Sequence, residues 1–192
     1  MTKRHNQRCP ECKEIVEILL RSIFGEVYPN YQLNLRANVS DYSQQPFFSN
    51  LNEIYNQLSS YRGYQNFVKV TTLPRVDYFI PNPGIILEFD ESQHFTKPRE
   101  ISLLNYPRDL TLGYDRSKWL DLCRNINTRD SEPPYRDEQR AWYDTLRDFA
   151  PLYLGLRPTI RIFVRDLQWC SLNPSNDEDI EKFKKMINFS RI

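Results

Sequence analysis

The sequence predicts an α/β protein in which helices flank a small central mixed β-sheet. Two apolar runs joined by a Pro-Asn-Pro-Gly turn at 81–84 predict a β-hairpin. Branched and aromatic residues at 159–164 predict a further strand. Stretches with helical periodicity lie before the hairpin and on both sides of that strand. The coarse order is helix, strand, hairpin, helix, strand, helix, which suits a sheet with helices on its faces.

The N-terminal half contains two predicted helices and the hairpin. The first helix is predicted because Ile15, Ile18 and Leu19 recur at helical spacing and Gly25 is placed to end it. The predicted elements are a helix at 9–24, a loosely alternating strand at 27–37, a helix at 48–60, an extended piece at 68–73, and hairpin strands at 75–80 and 85–90.

The C-terminal half begins with a weaker pattern and ends with a clear one. A helix at 135–149 is predicted from the apolar side formed by Ala141, Trp142 and Leu146. The other predicted elements are short helices at 98–106 and 117–125, a polar, proline-rich loop at 128–134, the strand at 159–164 and an amphipathic helix at 177–187.

Composition predicts a single globular domain over residues 1–192. Of the residues, 40% are hydrophobic and 27% are charged, and the net charge is +1. No apolar run approaches the roughly 18 residues that a membrane span requires. The N-terminus has no apolar stretch of the signal-peptide kind, so we expect a cytoplasmic protein with no membrane partner. With a net charge so close to zero, nucleic-acid binding must rest on local patches.

Two acids face each other across the hairpin in its predicted register. If the turn is symmetric, Ile80 pairs with Ile85 and Asp77 pairs with Glu88. Opposed side chains on one face have Cβ atoms about 5 Å apart, and two carboxylates there repel unless a positive charge separates them. Hard divalent cations prefer such oxygen ligands. The alternative is a surface hairpin with solvated acids, but the unbroken apolar run at 85–87 predicts a strand buried on both faces.

The hairpin residues resemble the PD-(D/E)XK nuclease superfamily. Val-Asp-Tyr at 76–78, followed by Leu-Glu-Phe-Asp-Glu-Ser-Gln-His at 87–94, is similar to the branch related to very-short-patch-repair endonucleases. Residues 135–140 and 161–164 resemble the Arg-bearing helix and the last core strand of that family. The resemblance implies a restriction-endonuclease-like central mixed sheet flanked by helices, in which 97–134 is an inserted segment.

The resemblance also implies a function. It predicts a divalent metal, usually Mg²⁺ (or Mn²⁺), bound by Asp77, Glu88 and the main-chain carbonyl of Phe89. Such a metal polarises a phosphate and lowers the pKa of a bound water. The expected protein is a DNA endonuclease of restriction, repair or defence, which needs a homodimer or a second nuclease subunit to cut both strands. The alternatives are a catalytically degenerate nuclease-fold subunit that binds DNA or a partner, and an RNase or phosphoesterase.

In this family a glutamate on the first helix often completes the site. In the predicted core direction of that helix, Glu11 points toward the core, Glu14 lies on its flank and Glu17 points away. We expect Glu14 to be this residue, with Glu11 close behind. The alternative is that all three are ordinary acids on the helix surface.

The motif departs from the family at Asp90, which stands where a lysine is usual. The hairpin register places Asp90 opposite Arg75, so we expect a cross-strand ion pair between them. Gln93, His94 or Lys97 is then expected to perform the role of that lysine, which is to orient the nucleophile and stabilise the developing charge. His94 suits a general base or a phosphate ligand, and the alternative is a loop histidine that only forms a hydrogen bond.

Cysteines and basic residues give two weaker signals. Cys9-Pro-Glu-Cys12 invites a zinc or redox interpretation, but a structural zinc site needs four ligands and Cys123 and Cys170 stand alone. His5 is a weak third ligand, so we expect only two cysteines at the start of a helix, without a zinc or redox role.

Basic residues form an N-terminal arm and a second group after the hairpin motif, where aromatic residues lie between them. This pattern suits phosphate contacts, and the alternative is an ordinary surface with aromatic anchors. These residues are Lys3, Arg4, Arg8 and Lys13 in the arm, then Lys97, Arg99, Arg108, Arg116 and Lys118, with Tyr106, Tyr114 and Trp119.

Overall fold

The computed structural model describes residues 9–187. Its strands are β1 (Tyr28–Tyr31), β2 (Val76–Ile80), β3 (Ile85–Asp90) and β4 (Ile160–Phe163). They form one sheet in the order β1-β2-β3-β4, in which β4 runs parallel to β3 and the other neighbours are antiparallel. This confirms an α/β protein with a mixed sheet flanked by helices.

Six α-helices lie in the described part of the chain. Side chains cap four of them: Cys9, Thr96, Asp115 and Asn176 each accept a hydrogen bond from a backbone N–H of the first turn. The helices are α1 (Pro10–Phe24), α2 (Phe48–Arg62), α3 (Lys97–Leu104), α4 (Arg116–Ile126), α5 (Arg136–Leu154) and α6 (Asp177–Met186).

The hairpin has the predicted register. Phe79 pairs with Ile86 and Ile80 pairs with Ile85, and Gly84 adopts a φ of +89° in the turn, a conformation that favours glycine. All six residues of β3 are buried, because β2 and β4 cover its edges and helices cover its faces. The predicted burial of this strand is confirmed.

The predicted strand at 27–37 is much shorter in the structure. Its ladder stops at Tyr31, one residue after Asn30 turns the backbone with a φ of +50°. Leu33, Leu35 and Ala37 still alternate into the core, but that stretch is joined to the extended piece at 68–73 by a single bridge between Arg36 and Thr72. The alternation of apolar and polar residues after Tyr31 therefore reflects alternating burial, not pairing in the sheet.

A group of buried charged side chains, here called the charged layer, joins α3 and α5 to the sheet. Arg161 of β4 contacts Asp90 and Asp148 at 2.8 Å each, and Arg99 contacts Asp148 at 2.7 Å. Asp144 lies 3.5 Å from Arg161. The charged layer is thus Asp90, Arg99, Asp144, Asp148 and Arg161, and all five side chains are almost completely buried.

No helix among residues 9–187 is long and apolar enough to cross a membrane.

Candidate functional site

A cleft of about 380 Å³ opens where the hairpin meets the first turn of α1 and the inner face of α5. It contains Asp77, Glu88, Phe89, Gln93 and His94, which are the site residues predicted on the hairpin and just after it. The other lining residues are Cys9, Pro10, Lys13, Arg75, Glu91 and Arg147.

A larger cavity of about 590 Å³ lies near the starts of β3 and β4, lined by Ile85 and Ile160. Among the described residues, its only acidic lining residue is Asp115, whose carboxylate is engaged in capping α4. The chemistry-bearing residues therefore converge on the smaller cleft.

Asp77 and Glu88 lie side by side on β2 and β3. Asp77 Oδ2 accepts a hydrogen bond from the Phe89 N–H at 2.9 Å, and Glu88 Oε1 accepts one from the Asp77 N–H at 3.2 Å. Each carboxylate therefore accepts a hydrogen bond from the backbone of the neighbouring strand, which fixes its position. The Asp77 side chain is 22% exposed and that of Glu88 is 4% exposed, so the pair extends from the rim of the cleft to its floor.

Two cations of the protein already contact these acids. Lys13 Nζ lies 2.6 Å from Asp77 Oδ1, and Arg147 Nε lies 3.3 Å from Glu88 Oε2, a charge contact without hydrogen-bond geometry. Charge repulsion between the two acids is thus no argument for a metal, since Lys13 and Arg147 supply positive charge.

The charge on Glu88 is nevertheless only partly compensated. Burial raises the pKa of Glu88 to about 7; Arg147 and Arg161 lower it, while the charges of Asp77 and Asp144 raise it further. Near neutral pH this carboxyl is therefore poised between its two states, and any cation placed beside it favours ionisation.

The first helix directs Lys13 into the cleft instead of a glutamate. Glu14 is exposed and does not line the cleft, in contrast to the sequence-based expectation. The helix is anchored by Tyr78, whose hydroxyl donates to the Lys13 carbonyl at 2.7 Å. The expectation placed Ile18 on the core side, but Ile18 is 42% exposed. The buried stripe is instead formed by Cys12, Val16, Leu19 and Leu20.

The other two glutamates of α1 are also placed on its outer side. Glu17 pairs with Arg21 one turn later, and Glu11 is exposed.

His94 is held by α5. Its Nδ1 lies 2.9 Å from Asp144 Oδ2 and 3.6 Å from Asp90 Oδ1. Burial alone would lower the pKa of His94, but the charge and hydrogen bond of Asp144, together with Asp90, outweigh it and raise the pKa. The protonated ring is thereby favoured, which suits phosphate binding or proton donation better than general-base catalysis.

Gln93 lies beside this histidine at the rim. Its Nε2 donates to Glu91 Oε2 at 2.9 Å, which orients the amide and leaves Oε1 as its acceptor.

Asp90 pairs with Arg161 of the charged layer, not with Arg75 as expected. Its carboxylate accepts hydrogen bonds from Arg161 and, at 2.7 Å, from the Trp119 indole. In the β3–β4 register Arg161 pairs with Glu88, so Arg161 reaches Asp90 two residues along on the same face. Arg75 instead donates to the Asn30 carbonyl at 3.4 Å.

Asp90, His94 and Asp144 also form a group whose ligand atoms lie within 4.8 Å of one another. Arg161 contacts Asp90 at 2.8 Å and Asp144 at 3.5 Å, so a metal ion there would have to displace a buried guanidinium. We interpret this group as the support that orients His94.

The structure adds Asp144 and Arg147 to the residues found from the sequence, and it places Lys13, which was expected in a basic N-terminal arm, in the cleft. A signal for Asp144 and Arg147 was present in α5, where these charged residues, three apart, flank the apolar side of an otherwise well-formed amphipathic helix. For Lys13 the sequence indicated a basic residue but not its place in the cleft, because the rotation of α1 depends on what the helix packs against.

The cysteine expectation changes in the structure. Cys9 and Cys12 form a disulfide, and the sulphur of Cys170 lies with theirs in a group no wider than 4.8 Å. Cys170 therefore does not stand alone. His5, the weak third ligand, lies outside the described residues.

The basic residues after the hairpin motif are mostly engaged within the protein. Lys97 pairs with Glu100, Lys118 pairs with Asp166, and Arg116 donates to backbone carbonyls. Arg99 belongs to the charged layer, and Tyr106, Tyr114 and Trp119 are buried. The interpretation as aromatic anchors fits these contacts better than a phosphate-binding surface. In the N-terminal arm, Lys3, Arg4 and Arg8 lie outside the described residues.

Comparisons with protein-family models, curated proteins and solved structures find no match to this chain. The resemblance of the hairpin motif to the PD-(D/E)XK nucleases therefore stays a prediction. The functional argument rests on the cleft itself.

Proposed function

We propose that the protein is a divalent-metal-dependent DNA endonuclease of the restriction-endonuclease-like fold, which hydrolyses phosphodiester bonds in the cleft. The observation that carries this proposal is the pairing of Asp77 and Glu88 on adjacent strands among three cationic side chains, Lys13, Arg75 and Arg147. Carboxylates suit a hard cation, and the surrounding cations suit a phosphate.

The donor set fits Mg²⁺ or Mn²⁺, since all its atoms are oxygens. Asp77, Glu88 and the main-chain carbonyl of Phe89 would hold the ion. A pKa of about 7 for Glu88 supports the fit, because a cation compensates the buried charge that Arg147 only partly offsets. When bound, such an ion supplies Lewis-acid polarisation of the phosphate and activation of water.

The protein's own residues provide the remaining functions. Lys13 takes the place of the motif lysine, because its ammonium contacts Asp77 while Asp90, at the usual lysine position, is bound to Arg161. His94, oriented by Asp144, binds a phosphate oxygen or donates a proton. Gln93 positions the attacking water through the amide oxygen that its contact with Glu91 leaves available.

A second candidate function is DNA binding without cleavage. It is favoured by the contacts of Lys13 with Asp77 and of Arg147 with Glu88, which compensate the charges of the two acids without a metal.

If the protein is an endonuclease, cleavage of both DNA strands requires a second copy of the chain or another nuclease subunit.

A plasmid-nicking assay with Mg²⁺ or Mn²⁺ separates the two functions. We expect the wild-type protein to nick duplex DNA, and Asp77→Asn and Glu88→Gln to reduce cleavage about 100-fold or more. Glu14→Gln is the matched control, because Glu14 is an exposed acid outside the cleft, and it should cut normally.

Absence of cleavage would favour the second candidate function. A wild-type protein that cuts neither duplex DNA, single-stranded DNA nor RNA, while Asp77→Asn still binds DNA normally, would exclude the nuclease and support the binding subunit.

A further inference from the structure

Three cysteines from distant parts of the chain meet beside the first turn of α1. Cys9 and Cys12 flank that turn, and Cys170 lies in the short 3-10 helix Trp169–Ser171. Their three sulphur atoms all lie within 4.8 Å of one another. Cys12 is fully buried, and the other two cysteines are partly buried.

Once the Cys9–Cys12 disulfide is reduced, this grouping of three sulphurs is compatible with a shared metal ion. A Zn–S bond is about 2.3 Å, so sulphurs around a tetrahedral zinc lie about 3.8 Å apart. The start of a helix also favours negative charge. Here the Cys12 N–H donates to Cys9 Sγ at 3.3 Å, a contact that stabilises a thiolate.

We propose that, in the reduced protein, Cys9, Cys12 and Cys170 bind one zinc ion and so tie the start of α1 to the 3-10 helix. The fourth position of the tetrahedron is left to water. Zinc binding and the disulfide exclude each other, because a disulfide sulphur carries no thiolate charge. The zinc site does not depend on the proposed nuclease activity.

The site has a consequence for the cleft. Cys9 lines it, and Lys13, which contacts Asp77, follows Cys12 directly in the chain. A zinc ion at the cysteines therefore fixes the part of α1 that carries Lys13.

Metal titration of the full chain, reduced and freed of metal, tests the proposal. We expect about one zinc per chain by elemental analysis, and thiolate-to-metal charge-transfer absorption when Co²⁺ replaces it. Cys170→Ser should weaken zinc affinity roughly tenfold or more, measured by competition with a chromophoric chelator. Cys123→Ser is the matched control, since Cys123 is a buried cysteine of α4 outside the group, and its affinity should not change.

A second control separates this site from the cleft. Asp77→Asn and Glu88→Gln should keep the full zinc content, even if they abolish DNA cleavage. Reduced wild-type protein that takes up no stoichiometric zinc, or Cys170→Ser with wild-type affinity, would overturn the proposal. If Cys170→Ser fails to fold, as judged by circular dichroism, the Co²⁺ spectrum of the wild-type protein decides: thiolate bands support the site and their absence rejects it.

Discussion

Lys13 shows how much of the candidate site depends on one side chain. It lies 64 residues before Asp77 in the chain, yet its ammonium contacts the Asp77 carboxylate at 2.6 Å. Both side chains are partly exposed, so this ion pair contributes little to stability. Lys13 acts instead through the electrostatics of the cleft, because it places a positive charge next to Asp77, an acid that is proposed to bind metal.

Replacing Lys13 by Met should therefore affect activity far more than stability. We expect DNA cleavage to fall about 100-fold, as for loss of one preorganised charge at a reacting phosphate, with a change in unfolding free energy below about 1 kcal/mol. Lys184→Met is the control, because Lys184 forms a comparable exposed pair with Glu181 on α6. Equal activities of the two variants would show that Lys13 has no role in cleavage.

At the scale of elements, the charged layer joins α5 to α3 and β4. Asp148 accepts hydrogen bonds from Arg99, Arg161, Tyr106 and Tyr114, so its two oxygens satisfy four donors. Burial alone would raise the pKa of Asp148, but the charges and hydrogen bonds of the two arginines lower it. The pKa of Asp144 is also held well below its usual range.

Removing the Asp148 charge should destabilise the protein strongly. Asp148→Asn leaves two buried guanidinium groups undercompensated, and we expect a loss of about 3–5 kcal/mol in chemical denaturation. Asp121→Asn is the control, since the Asp121 side chain is 67% exposed. A loss below about 1 kcal/mol for Asp148→Asn would mean that the charged layer does not hold these elements together.

The lowered pKa values also predict how stability depends on pH. A carboxyl whose pKa is lower in the folded state stabilises the protein above the unfolded value, about 3.9 for Asp, and this stabilisation is lost as pH falls. Melting temperature should therefore drop below about pH 4. Asp148→Asn should show a shallower drop than the wild type, and parallel curves would contradict the assignment.

At the scale of the whole molecule, the cleft brings together residues from the start of α1, the hairpin and the second half of α5. Lys13, Asp77, Glu88 and Arg147 belong to four different elements. A ligand that requires all of them binds the folded state only, and so stabilises the entire chain by mass action.

Saturating Mg²⁺ or Mn²⁺ should therefore raise the melting temperature. At 100 times the dissociation constant the added stability is about 2.7 kcal/mol. Glu88→Gln should abolish the shift, while Glu14→Gln should retain it. An unchanged melting curve of the wild-type protein in both metals would count against a cation between Asp77 and Glu88.

Local sequence determined much of this protein. The hairpin register, the burial of β3, the positions of the helices and the meeting of Asp77 with Glu88 all follow from periodicity and turn chemistry, which act over a few residues. The strand predicted at 27–37 was too long because alternation records burial as well as pairing.

Only the tertiary structure decided which distant residues meet. It turned Lys13 instead of Glu14 into the cleft, paired Asp90 with Arg161 instead of Arg75, and brought Cys170 to Cys9 and Cys12. Each of these contacts joins residues far apart in the chain. Their choice depends on how whole helix and sheet faces pack, a free energy summed over the core that no local pattern encodes.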